Sequence, residues 1–406
     1  MFEGKIIKFY REKHKLTQDQ LGKDICSVTH ISKIECGQTT FASQILSLLS
    51  ERLGINMELE VKKLISIKQQ IFNWHEAIIM NLNTDSAQIN DELEREELIQ
   101  ISEYFNIYQL LRARYQLMHN NCDEAFKIIK KIQKLENKLT SYETNLLKHV
   151  LGIYFIEKQD YLTAIETLKT IQIENYNNPE YYYHLAIAYH TIQSPVMAYY
   201  YAEKSHQFFK DMNNYLRVID AELIMIIQIE DDEDNEEILN RFKKLIKSCE
   251  LCNAPDRKAK VMHDLAYAYY RRRKYDLASM YFKESMSFKE KGSPSFLLSL
   301  ERYIRSSYDG GLRPKDELIQ QAENGLRMAI NNNQLLFIHM FRLLLYILKS
   351  KEDQYYQYLS NKALPMFTKF GFTHLIELSK KELFNYYYNM KLKEDALELA
   401  QLIINT

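Results

Sequence analysis

The chain has 406 residues but only 10 Gly and 6 Pro, where an average soluble composition would supply roughly 28 and 20. Sandwiches, barrels and doubly wound sheets use these residues at every hairpin and corner, so the composition excludes them and leaves an all-α chain of long helices with short polar turns. With 46% apolar residues, and 53 Lys and Arg against 54 Asp and Glu, the chain can bury a large core, any nucleic-acid surface is local, and the length calls for two or more domains or a repeat array.

The N-terminal segment MFEGKIIKFYREK has no signal-peptide apolar stretch. The five scattered cysteines (26, 36, 122, 249 and 252) suit a reducing, cytoplasmic setting. Cys249 and Cys252 have the spacing of a redox or zinc pair, but no second Cys or His pair flanks them, so no metal or cofactor is expected. The longest apolar runs, 221–229 and 335–348 with Arg342 inside, cannot span a bilayer, and no membrane partner is expected.

Residues 2–54 carry five short helical patterns. Thr17 and Gln20 have the spacing of a capping box, followed by Leu21 and Ile25 on one face and a small Gly22. A next helix opens at Ser27, buries Ile31 and Ile34, leaves Val28, Thr29 and Lys33 on the opposite side, and stops at Gly37. Two short helices with a tight turn predict a helix-turn-helix. The typed positions Thr17-Gln18, Leu21-Gly22, Ser27, Ile31-Ser32-Lys33-Ile34-Glu35 and Gly37 resemble the phage-repressor (Cro/C1 or XRE) family. The Thr17 to Glu35 interval is one residue shorter than the commonest family spacing, which tightens the turn near Lys23–Cys26. The resemblance implies DNA contact by Gln18, Ser27, Val28, Thr29 and Lys33, and a structural ion pair between Arg11 and Glu35. Residues 1–55 carry eight Lys or Arg against six acids, a small surplus that calls for dimers on paired half-sites.

Residues 57–66 read as a linker, and 67–406 as a repeat domain. Leu151-Gly152 with Ala164, and Leu185-Ala186 with Ala198, match the tetratricopeptide signature 34 residues apart; Leu265-Ala266 with Ala278, and Leu383-Phe384 with Ala396, repeat it. Degenerate copies fill the gaps, giving eight or nine helical hairpins in a right-handed superhelix with a concave inner face. Five prolines (179, 195, 255, 294 and 314) fall at expected turns or helix starts. The acidic run Asp231–Glu237 reads as a solvated turn, and Arg271-Arg272-Arg273-Lys274 as cations at a helix end.

A repressor-type module followed by these repeats resembles the RRNPP peptide-pheromone receptors, most of all the NprR type, with PlcR-like regulators a shorter relative. The resemblance implies a cytoplasmic transcription regulator whose homodimer or tetramer binds a palindromic site on double-stranded DNA and a short imported signalling peptide. The inner face of the first helix of each pair nominates Arg114, His149, Tyr183, His190, His263, Tyr267, Tyr270, Arg271, Asn385 and Tyr388 for the peptide, with Arg114 set against a carboxylate. An alternative, from Rap-like relatives, is a protein that binds a phosphorylated sporulation response regulator and promotes its dephosphorylation, for which Gln69 and Gln70 are the nearest side-chain amides. No P-loop, G-x-S-x-G or H-E-x-x-H motif appears, and no catalytic residue is assigned.

Overall fold

The structure is a computed structural model and describes residues 2–40, 42–229 and 236–404. Every regular element among them is helical. The chain divides into two compact units, Met1–Tyr181 and Tyr182–Thr406.

The first unit holds α1 (Phe2–Lys13), α2 (Gln18–Gly22), α3 (Val28–Glu35), α4 (Ser43–Leu53), α5 (Met57–Met80), α6 (Asn83–Arg95), α7 (Phe105–Met118), α8 (Cys122–Gln133), α9 (Ser141–Glu157) and α10 (Tyr161–Lys169). Ile6, Ile7, Leu21, Ile31, Ile34 and Leu49 are fully buried and form the core that closes α1–α4; each contributes roughly 1.5–3 kcal/mol. Gly4 lets α1 cross α3, since a Cβ there would lie 2.1 Å from the Ile34 carbonyl oxygen.

Among the described residues, four helices, not five, lie within 2–54; the fifth begins at Met57 and packs on α1. Residues 57–66, expected as a linker, are the opening turns of this 24-residue helix. Asn56 caps it by accepting from the Leu59 N–H at 3.1 Å, and Met57, Leu64, Ile67, Ile71, Trp74 and Ile78 continue one buried stripe without a breaker. The apolar period therefore runs through the expected boundary. Helices α5 and α6, α7 and α8, and α9 and α10 then pack as pairs. Gly152 on α9 sits against Leu168 on α10 where a Cβ would lie 2.3 Å from a Leu168 methyl, which accounts for the small residue of the repeat signature.

The second unit begins within α11 (Tyr181–Thr191). It continues through α12 (Pro195–Asp211), α13 (Tyr215–Gln228), α14 (Glu236–Leu251), α15 (Pro255–Arg271), α16 (Tyr275–Ser287), α17 (Pro294–Asp309), α18 (Lys315–Asn331), α19 (Leu335–Leu348), α20 (Glu352–Tyr358), α21 (Leu364–Lys369), α22 (Thr373–Asn389) and α23 (Lys393–Ile404). Tyr201 of α12 stacks on Tyr182 and Tyr189 of α11. Consecutive helices from α12 to α19 pack on one another around a core that includes Phe242, Phe282, Ile304 and Phe341, all fully buried. A smaller core gathers Leu343, Leu359, Phe367, Leu383 and Leu399. The expected acidic turn falls at 231–235, outside the described residues, while Glu236 and Glu237 sit in the first turn of α14.

Turn chemistry explains the glycine count. The left-handed residue that ends a helix is usually Gly, as Gly37, Gly54, Gly311 and Gly371 are here, but Asn81, Asn120, Gln159, Gln193, Asn213, Asn253, Arg273, Asn333, Ser350 and Lys391 take the same position at positive φ after other helices. Asn bears this conformation best among residues with a side chain because its amide bonds locally. Pro195, Pro255 and Pro294 start α12, α15 and α17, and Pro314 caps α18. The sixth, Pro365, follows a π-helical segment at Leu359–Ala363, where its missing N–H is accommodated by a local shift of register.

Candidate functional site

The recognition elements come first in the chain. Thr17 Oγ1 accepts from the Gln20 N–H at 3.1 Å, and Gln20 Oε1 accepts from the Thr17 N–H at 2.8 Å, so the capping box forms. The shortened turn is built by Asp24 at φ 59, with the Ile25 and Cys26 N–H groups both donating to the Gly22 carbonyl. Arg52 of α4 donates to the Leu21 and Lys23 carbonyls and pins α2 from behind.

On α3, Ile31 and Ile34 are buried while Val28, Thr29 and Lys33 are exposed. Ser27 accepts from the His30 N–H at 3.3 Å and is thus the N-cap. Arg11 grips Glu35 through two bonds of 2.5 and 3.0 Å, and its third donor reaches the Leu16 carbonyl at 3.0 Å. The Glu35 carboxylate also accepts from Gln18 Nε2 at 2.9 Å. Gln18, nominated for phosphate, therefore spends its amide on the scaffold pair in the free protein.

Arg114 and His149 lie elsewhere than expected. Arg114 is 3% exposed and donates to Glu180 at 2.6 Å, so the carboxylate it meets belongs to the same chain. His149 is fully buried, with Nδ1 2.8 Å from the Tyr176 hydroxyl. His75 adjoins this cluster at 3.5 Å from Arg114, and burial followed by the Arg114 charge lowers its pKa to about 3. Both nominees are interior scaffold of the first unit.

The other nominees lie in the second unit. Tyr183 is buried edge-on against Phe209 with the Arg217 guanidinium over its ring. His190 is half-buried and accepts from the Gln228 amide at 2.8 Å. His263 bonds Ser299 at 2.8 Å, and burial lowers its pKa to about 3. Tyr267 and Tyr270 stack 6.3 Å apart, with Arg302 over Tyr267. Arg271 is half-buried, Asn385 is exposed, and Tyr388 is exposed beside Phe384.

Next to Tyr270 opens a cavity of about 200 Å³ between α15, α17, α19, α21 and α22. Arg305 donates to Glu301 at 2.9 Å, and Arg302 approaches the same carboxylate at 3.6 Å. Burial opposes the Arg305 charge, but Glu301 outweighs it and holds the guanidinium above its ordinary range. The Tyr355 hydroxyl donates to Glu382 at 2.6 Å, and the Tyr270 hydroxyl to Asp309 at 2.7 Å. A second recess of about 470 Å³ shares Arg305, Tyr355 and Glu382 and extends past Tyr308, Tyr346 and Lys351. Of these residues the sequence nominated Tyr270; Glu301, Arg302 and Arg305 on α17 and Tyr346 on α19 lie on helices without the small-and-aromatic signature, and Glu382 lies beside the signature of α22 at a position its register did not select.

Residues 7–59 match the Helix-turn-helix family. The chain is 20% identical over 365 residues to the transcriptional activator NprA of Geobacillus stearothermophilus, covering 85% of this chain and 88% of that protein. Among solved structures it resembles the apo quorum sensor NprR from B. thuringiensis, at TM-score 0.68 and 17% identity over 84% of this chain and 98% of that one. NprR in complex with its cognate peptide NprX gives 0.67 and 16% over 84% and 98%. A Rap protein complexed with competence and sporulation factor gives 0.69 and 14% over 84% and 97%. The resemblance to the RRNPP layout therefore stands for both parts of the chain, a helix-turn-helix module followed by a helical repeat body.

Proposed function

We propose that the chain is a peptide-responsive transcriptional regulator. The carrying observation is a matched helix-turn-helix whose α3 exposes Val28, Thr29 and Lys33, joined in one chain to a repeat body with the fold of NprR. Thr29 offers a donor or acceptor to base edges, Lys33 reaches a guanine or a phosphate, and Val28 packs on a thymine methyl. In the repeat body His190, His263, Tyr267, Tyr270, Arg271 and Asn385 present polar and aromatic groups to a short peptide, whose binding changes the dimer or tetramer and hence DNA occupancy. The named activity of NprA and the peptide complex of NprR support this reading. The protein then acts in the cytoplasm on a palindromic site.

Selection from a randomised duplex pool tests it. Enrichment of a palindrome, with affinity falling steeply between 50 and 200 mM salt, is expected; binding without sequence preference overturns the reading. A second reading, response-regulator dephosphorylation, is favoured by the Rap fold likeness and by exposed Gln69, which donates to Asn73 at 2.7 Å on α5. Unchanged decay of the phosphorylated regulator in the presence of the protein removes it.

A further inference from the structure

The cavity beside α17 supports a narrower statement about the ligand, resting on the peptide reading. Its floor is apolar, formed by Met340, Leu343, Leu359 and Phe367. Its walls carry two guanidinium groups, Arg302 and Arg305, and two carboxylates, Glu301 and Glu382, so the formal charge is zero. Glu301 is 1% exposed, and its Oε2 has no hydrogen-bond donor among the described residues. The arginines keep a fifth to a quarter of their side-chain surface, 20% and 26%.

An ionised side chain entering this space would bring a charge without a counter-charge, and desolvation would oppose it. A peptide amide is neutral and supplies what the walls lack: one N–H for the Glu301 carboxylate and one C=O for a guanidinium edge. The space suits one large residue, since an apolar cavity of about 150 Å³ holds a benzene ring. We propose that this cavity is a specificity pocket for a single uncharged, large apolar residue of the peptide, held by its own backbone amide between Glu301 and Arg302.

Affinity selection from a pool of randomised heptapeptides on the full-length chain tests the assignment, with Leu378→Trp as the comparison. Leu378 lines the cavity and is 41% exposed, so the larger ring closes the mouth without entering the core. Retained peptides are expected to share one position dominated by Leu, Ile, Met or Phe and depleted in Asp, Glu, Lys and Arg. Leu378→Trp should then lower their affinity at least tenfold with no change in melting temperature. If that variant is unstable, Leu378→Glu should give the same loss by placing an unpaired carboxylate at the mouth. Peptides bound equally by the variant, or a charged residue preferred at every retained position, overturn the pocket while leaving peptide binding in place. Retention of no peptide at all overturns the peptide reading, and the pocket with it.

Discussion

Arg114 on α7 and Glu180, just ahead of α11, form an ion pair of 2.6 Å with side chains 3% and 0% exposed. They are 66 residues apart in sequence, so the pair ties the loop that follows α10 back to α7 within the first unit. His75 and Asn178 surround it: the Asn178 amide lies 3.4 Å from His75 Nε2. The surroundings are polar, but almost no solvent reaches them.

Removing one partner of such a pair leaves a buried charge uncompensated, at a cost of about 3–5 kcal/mol. Arg114→Met should therefore lower the melting temperature of the first unit strongly, and adding Glu180→Gln should restore much of the loss. Peptide affinity, measured at a temperature where the variant is folded, should not change. A stable Arg114→Met protein that had lost its ligand would instead return Arg114 to the binding face.

The DNA side separates readout from scaffold. Lys33 is exposed and its ammonium has no hydrogen-bond acceptor among the described residues, whereas Glu35 is 8% exposed and holds Arg11 and Gln18. Lys33→Ala should weaken operator binding, by about 1–3 kcal/mol if the lysine reads a base. If it contacts a phosphate, the loss should be uniform across sequences and the salt slope should fall by about one. In both cases melting is unchanged. Glu35→Gln should lower the melting temperature and reduce DNA binding only through the lost fold. Titrations of a fluorescent duplex at several salt concentrations distinguish the cases.

The recognition module was legible because its signals are local. A cap at Thr17 with Gln20, a small Gly22 against Ile31 and the Ile31/Ile34 pair fix α2 and α3 within a few turns. The boundary of α5 was not, because composition changes near residue 56 while the buried stripe continues. Cavity-lining residues were only partly legible: the signature of α15 pointed to Tyr270, but Arg302 and Arg305 on α17, and Glu382 on α22, whose signature pointed to Asn385 and Tyr388, emerge from packing. Whether an arginine in a repeat faces a groove or an internal acid depends on what stands opposite, as Arg114 shows, and spacing along one helix cannot carry that.

Turns without glycine offer a stability test. Arg273 and Gln159 occupy the left-handed region at φ 55 and 61, which costs an L-residue roughly 1–2 kcal/mol against glycine, partly offset by the larger unfolded-state entropy of glycine. Arg273→Gly and Gln159→Gly should each stabilise their unit by about 0.5–1 kcal/mol. Asn253→Gly, replacing the residue that tolerates this region best, should gain less. Chemical denaturation of the three variants in parallel checks the order; a loss at Arg273 would mean that its side chain contributes more than its backbone costs.

Asp264 carries a pH-dependent contribution to stability that its neighbour His263 offsets. Burial pushes its carboxyl up to about 6, even though Lys260 and Lys289 pull in the opposite direction, and its Oδ2 has no hydrogen-bond donor among the described residues. Burial likewise lowers Lys289 to about 8. A carboxyl whose folded pKa is raised binds its proton more tightly in the native state. Its stabilising contribution is therefore fully present below the unfolded value near 4 and is lost as pH rises through 6. Neighbouring His263 has the opposite sign: with a folded value near 3, its contribution is present above the unfolded 6.5 and fades as pH falls. The two nearly cancel between pH 4 and 6, so the wild-type curve conceals both. Asp264→Asn uncovers them. The variant should be more stable than wild type at pH 7.5, by up to about 3 kcal/mol, and the advantage should shrink through pH 6 and vanish near pH 4. His263→Gln should show a mirror trend, gaining relative stability only as pH drops below about 6. Melting curves of the three proteins from pH 4 to 8 decide the matter; an Asp264→Asn advantage that stays constant with pH would show that Asp264 stays ionised throughout and that its burial is compensated.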